Sequence, residues 1–177
     1  MPDAWLLLVG GLLLFLLAWT VWTLTRLRRL EGRLDRAWTA LDTQLRRRAD
    51  LVEELARYYP GAVGEERAAR LAATVAEART PLAGDREQAE NALGRELREL
   101  PSDLPGLPTS LQTDLDGTSI RVALARRFFN DAVRDTRSLR AGRLSRVLHL
   151  HGSRPLPRYF DIDDRLEAAV GARQAGG

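Results

Sequence analysis

The side chains with the most obvious chemical potential sit late in the chain: His149-x-His151, followed by Asp161, Asp163 and Asp164. These are metal-ligand types, but two histidines at i, i+2 suit a strand better than a helix, and no HExxH or comparable ligand spacing accompanies them. Ser145 and His149 stand at i, i+4 and would share a helix face, yet the nearest acids are loop residues and there is no oxyanion-hole motif or nucleophile elbow. A glycine-rich phosphate loop is missing too. The chain has no cysteine, which excludes disulfides, thiolate metal sites, a cysteine nucleophile and a lipoprotein acylation site. No catalytic, cofactor-binding or metal-binding set is therefore assigned, and the expectation is a protein that is not an enzyme.

Arginine supplies the remaining chemistry. All 27 basic residues are Arg, a pattern that reads as codon bias of a GC-rich bacterial genome. Eight of them, Arg121, Arg126, Arg127, Arg134, Arg137, Arg140, Arg143 and Arg146, lie along one stretch that could face a polyanion. A nucleic-acid surface would combine such a stripe with stacking aromatics or a recognisable motif, and neither is present. Nucleic acid is not the expected partner; a solvated or protein-facing helix surface is.

These residues must be positioned by helices. The chain is 45% apolar and 29% charged with few aromatics, a composition that favours one helical body of about 150 residues. Apolar residues recur at Leu30, Leu34, Trp38, Leu41, Leu45, Val52, Leu55 and Tyr59, the stripe of an amphipathic helix. Arg48 falls on that stripe, so its guanidinium must snorkel or meet a carboxylate or carbonyl from a neighbouring helix. Pro60-Gly61 and Gly64 break the pattern. Glu65 and Glu66 open a second helix that ends by Pro81 and Gly84, and Asp85 reads as the N-cap of a third running to about Leu100. Residues 100 to 108 are a proline-rich connector, and a fourth helix runs from between Ser110 and Gly117 to about Leu150, with Gly142 as a candidate kink. Residues 154 to 160 read as an extended strap able to pack Leu156, Tyr159 and Phe160 onto the helices, and the chain beyond Gly171 is expected to be disordered. Residues 49 to 100 hold 11 acids against 7 Arg, whereas 118 to 146 hold 8 Arg against 2 Asp, a segregation that suits an antiparallel bundle of about four helices.

Ahead of this body, 22 residues between Asp3 and Arg26 carry no charge. As a helix they cover roughly 33 Å, enough to cross a bilayer core of about 30 Å. Trp5 stands at one end and Trp19 and Trp22 at the other, as interfacial belts would place them. A cleaved secretory signal fits less well, because there is no positive n-region and no A-x-A-like site. Arg26, Arg28, Arg29, Arg33 and Arg36 follow the span, so the positive-inside rule puts the body in the cytoplasm and the N-terminus outside, as a single-pass cell-membrane protein. Arg26, Arg28 and Arg29 could also face anionic lipid. With no Pro between Pro2 and Pro60, the spanning helix can continue into the body. The expected division is an anchor over 1–25, a bundle with its strap over 26–165 and a tail over 166–177.

The run RLDRAWTALDTQLRRRADL, Arg33 to Leu51, resembles the LemA family of bacterial membrane proteins in Arg33, Asp35, Ala37-Trp38, Gln44-Leu45, Arg47-Arg48 and Asp50-Leu51. Glu77-Ala78-Arg79, Glu90-Asn91 with Leu93, Ala125 to Val133 and Pro157-Arg158-Tyr159-Phe160 are similar to further landmarks of that family, in collinear order over about residues 26 to 161. Departures include Glu53 and Glu54, where the family usually has Pro and Asn, Ser119 in place of Glu, Arg137 where a second Asn is expected, and Gly142-Arg143 in place of Phe-Pro. The resemblance implies an N-terminal anchor, a long antiparallel helical bundle and no enzymatic activity. It also implies an interaction or scaffold role, since some members are associated with membrane zinc proteases or envelope processes. Arg33, Trp38, Gln44, Arg47, Arg48, Asp50, Arg126 and Asn130 form the candidate constellation, read as a buried polar network that fixes helix register in preference to a recognition site.

Overall fold

The computed structural model describes residues 2–80, 86–101, 104–141 and 155–163, and among them all regular structure is helical. The elements are α1 (Pro2–Tyr58), α2 (Pro60–Val63), α3 (Glu65–Arg79), α4 (Arg86–Arg98) and α5 (Thr109–Ala141). The expected all-α bundle with an apolar N-terminal helix is the fold observed. Asp85, Gly142 and the tail beyond 163 lie outside the described residues, as do His149, His151, Ser145 and Asp164.

The helix breaks follow local chemistry. Pro60 has no N–H to donate to the carbonyl four residues back, and it pushes Tyr59 out of the helical region, to φ −128° and ψ 42°. Pro60 occupies the first turn of the four-residue α2, where a missing N–H costs nothing. Gly64 then closes α2 by donating its N–H to the Pro60 carbonyl at 2.8 Å, and it precedes α3 with φ 89°, a backbone that L side chains rarely adopt. Glu65 and Glu66 fill the first turn of α3, where carboxylates complement the positive helix end, and Arg79 lies in its last turn.

The described chain groups into two compact units. The larger comprises residues 37–130 and 159–177. Its core joins Val52 and Leu55 of α1 to Leu71, Val75 and Ala78 of α3 and to Ala89 and Leu93 of α4, with Leu104 of the connector closing one side. Cross-helix pairs give the directions. Arg79 at the end of α3 meets Asp50 and Glu53, so α3 runs antiparallel to α1. Arg70 of α3 meets Glu96 near the end of α4, and Arg86 at its start meets Asp42, so α4 runs parallel to α1. Asp114, Arg121 and Phe129 of α5 reach Arg47, Gln44 and Trp38 in descending order along α1, so α5 is antiparallel again. This is an up-down-up-down four-helix arrangement.

The other unit comprises residues 1–36 and 131–158. In it, Trp5–Arg26 of α1 is the one described helix segment long and apolar enough to cross a membrane, and only 6% of its apolar window is buried within the structure. A core helix of a soluble protein would be mostly covered. The hydroxyls of Thr20, Thr23 and Thr25 donate to the carbonyls four residues back at 2.8–2.9 Å, so none needs water. Arg137 and Arg140 of α5 donate to the carbonyls of Pro157 and Pro155 at 3.1 and 3.0 Å, holding that extended segment by its backbone.

The two glycines of the α2 corner separate backbone strain from space. Neither would bring a Cβ within 4 Å of another atom, and only Gly64 has positive φ. Gly64→Ala should cost about 1–3 kcal/mol, whereas Gly61→Ala should be neutral or stabilise by a few tenths of a kcal/mol. Thermal melts of both variants in detergent, followed by circular dichroism, check the contrast.

Candidate functional site

Leu41, Leu45, Arg48, Val52 and Leu55 share one face of α1, and all five are buried. Arg48 could not keep its charge there unaided, because removing a guanidinium from water costs several kcal/mol unless a carboxylate compensates. Glu90 does so from the apolar face of α4. Its Oε2 accepts from Arg48 Nη2 at 2.6 Å and its backbone carbonyl accepts from the same nitrogen at 3.3 Å, with side-chain exposures of 5% and 2%. The other Glu90 oxygen lies 3.7 Å from Arg86 Nε. Arg86 in turn pairs with Asp42 at 2.7 Å and stacks over the Trp38 ring at 5.9 Å, while Arg46 approaches Asp42 at 2.8 Å. Two buried or half-buried carboxylates are thus shared among three arginines.

Of the remaining constellation residues only Trp38 touches this centre, through Arg86, and the others go to partners elsewhere. Gln44 Oε1 accepts from Arg121 Nε at 3.2 Å, Arg47 pairs with Asp114 at 3.1 Å on the surface, and Asp50 accepts from Arg79 at 2.7 Å. Glu53, one of the departures from the family pattern, shares that Arg79. Arg33 lies 3.9 Å from Asp135 in the other unit. Trp38 packs against Phe129 and Phe160, with ring centroids 5.3 and 5.7 Å apart. Asn130 exchanges two hydrogen bonds with the backbone of Phe160, at 2.9 and 3.0 Å, and Arg126 lies 3.9 Å from Asp161. Of the residues after the span, Arg26 stacks over Trp22 at 5.5 Å and Arg29 lines a pocket with Arg33, while the side chain of Arg28 is outside the described set.

The strap differs from expectation. Phe160 is buried, but Leu156 and Tyr159 are exposed, and Ile162 takes the second buried position. The alternation of an extended chain puts 160 and 162 on one side, so a buried Phe160 carries Ile162 with it. Asn91 accepts the Asp163 N–H at 2.8 Å and Arg98 donates to the Asp163 carbonyl at 3.3 Å, so a second asparagine repeats the role of Asn130. Asp161 and Asp163, the described members of the sequence's metal-type cluster, therefore face arginines. Among the described residues no group of three His, Cys, Asp or Glu is arranged to hold a metal ion.

Sequence reasoning missed Asp42, Arg86 and Glu90 as the centre. A signal for Glu90 was present: it precedes Leu93 and Leu97 by three and seven positions, a charge on an apolar face just as Arg48 is. Two surfaces remain beside the paired residues. A cavity of about 360 Å³ between α1, α3 and α4 is lined by both signs of charge, including Arg46, Asp50, Arg79 and Glu90. A shallower groove of about 350 Å³ between α1 and α5 is apolar, with Ala37, Ala40, Leu124, Ala125 and Phe128 along it, and Phe128 is 69% exposed.

Breaking the buried pair from one side should be far worse than removing it whole. Arg48→Met alone strands the Glu90 carboxylate and should cost about 3–5 kcal/mol, while Arg48→Met with Glu90→Leu should recover most of that loss. Arg47→Ala, which removes an exposed pair, should cost less than about 1 kcal/mol. Thermal or denaturant unfolding of the three variants tests the ordering, and a double variant as unstable as the single would refute it.

A search of curated proteins returned no match. The LemA family matches over residues 37–143, a span that holds the Arg48–Glu90 pair, the Trp38–Phe129 contact and the α5 residues that face Gln44 and Arg47, while Phe160 lies beyond it. The family is not known as an enzyme family. A match over more than half of the chain makes this chain a member of the LemA family.

Proposed function

We propose that this protein is a membrane-anchored interaction protein without catalytic activity, and that its partner is a membrane-associated protein which presents an apolar helix to the groove between α1 and α5. The observation that carries the reading is the exposure of Phe128. Its neighbour Phe129 is buried against Trp38, whereas Phe128 and Leu124 stand out from α5 beside Ala37 and Ala40 of α1. Small residues on one helix and large apolar ones on the other form the kind of groove into which an amphipathic helix packs. The polar signature residues support the same view from the other side, because they are taken up by pairs within the bundle. The span Trp5–Arg26 supports membrane attachment, and the arginines after it support an N-terminus outside and a cytoplasmic body. Membrane proteases and envelope proteins are partners of the required kind.

A photo-crosslinking residue in place of Leu124 in the full-length chain, expressed in its native membrane, should capture one discrete membrane-associated protein. Phe128→Asp should reduce that product on the order of tenfold or more with helical content unchanged, and Arg47→Ala should leave it intact. No product, or a product consisting of a second copy of this chain, would overturn the proposal. Orientation is tested separately: a C-terminal reporter active only in the cytoplasm should be on, and one active only outside should be off.

A further inference from the structure

The unit that contains the apolar span carries a second, basic pocket. It has a volume of about 580 Å³ and lies where α1 leaves the span, between Arg26, Arg29 and Arg33 on α1 and Asp135, Ser138 and Leu139 on α5. Positions 26, 29 and 33 follow the i, i+3, i+7 spacing, so three guanidiniums share one helix face. Among the described residues neither Arg26 nor Arg29 has an ion-pair partner, and Arg33 is only 3.9 Å from Asp135, with both side chains more than half exposed. The charge of this pocket is therefore largely uncompensated.

We propose that the pocket binds the phosphodiester headgroup of an anionic glycerophospholipid. Depth is the first reason. Arg26 closes the apolar span and stacks over Trp22, an aromatic of the type and position that marks the headgroup level. Chemistry is the second. Arginine forks match phosphate oxygens in two-point hydrogen bonds, and the Ser138 hydroxyl adds a further donor. Shape is the third, since Leu30 and Leu139 give the pocket an apolar wall suited to the start of an acyl chain rather than to a fully hydrated ion. Asp135 competes with the lipid phosphate for Arg33. The inference rests on the membrane attachment proposed above and is independent of the protein partner.

The full-length protein, purified in mild detergent, is titrated with phosphatidylglycerol, phosphatidylcholine or glycerol phosphate, and retained molecules are counted by native mass spectrometry. One phosphatidylglycerol should be retained in preference to phosphatidylcholine. Arg26→Gln with Arg29→Gln should weaken that retention about 30-fold, with Arg26→Lys and Arg29→Lys retaining part of it. Asp135→Asn should raise it several-fold, an effect opposite to that of any variant that merely unfolds. Arg47→Gln with Arg121→Gln, on the other unit, should change nothing. Equal retention of the two lipids, indifference to the Gln variants, or binding of glycerol phosphate as strong as that of phosphatidylglycerol would overturn the proposal. Alkaline carbonate extraction of the source membranes separates the two ways of failing. A chain that stays in the pellet without lipid preference sinks the pocket alone, and a chain released to the supernatant sinks the anchor.

Discussion

A guanidinium on the apolar face of a helix loses its water when that face is covered, so the helix that covers it must bring a carboxylate to the same depth. Arg48 imposes this condition on α4, and Glu90 meets it. The pair does not have to be worth much in net stability to be decisive. Sliding α4 by one turn against α1 would separate the two charges and strand both in the core, a cost of several kcal/mol that no alternative packing of Leu93 and Leu97 would offset. Register between the first and last-but-one helices of the larger unit follows from that penalty. The placement of Arg86 then follows as well, four residues before Glu90 and facing Asp42 and Trp38.

The other cross-helix pairs differ in kind. Arg47 with Asp114 and Arg79 with Asp50 lie at half-exposed positions where water can replace either partner, so they bias orientation without enforcing it. The asparagines hold the chain differently. Asn130 offers an acceptor and a donor to the Phe160 backbone, as a neighbouring strand would, and Asn91 accepts the Asp163 N–H. An extended segment with no strand beside it thus has part of its backbone hydrogen bonding satisfied by side chains. The aromatic cluster of Trp38, Phe129 and Phe160 supplies the apolar contact between them.

Most of this architecture was legible because it is periodic. The stripe from Leu41 to Leu55, the acidic start of α3 and the proline at position 60 each carry a local physical signature, and Arg48 announced its need for a partner by its position alone. What was not legible required knowing which faces meet. The eight-residue constellation was read as one network, but residues spaced along a helix at 38, 44, 47, 48 and 50 point in different directions, and each finds a different neighbour. Glu90 was named as a landmark of the family resemblance, but its place as a charge on an apolar face, three and seven positions before Leu93 and Leu97, went unread. The burial of Ile162 in place of Leu156 and Tyr159 depended on where Asn91 and Asn130 fasten the strap, a tertiary fact with no trace in local composition.

The surface of helix α1 changes character along its length, and the sequence shows where. From Trp5 to Thr25 it is apolar around its circumference and largely uncovered by the rest of the chain, as suits a surface whose neighbour is lipid. From Leu41 onward it has one apolar face, covered, and a polar face spent on pairs with α3, α4 and α5. A protein built this way commits much of its polar chemistry to holding itself together. Among the described residues, the apolar groove at Phe128 and the basic pocket at Arg26 and Arg29 are surfaces these pairs do not cover. On the proposals above the first takes a protein helix and the second a headgroup, and each would be engaged by contact alone, with the Arg48–Glu90 pair and the register it sets left in place.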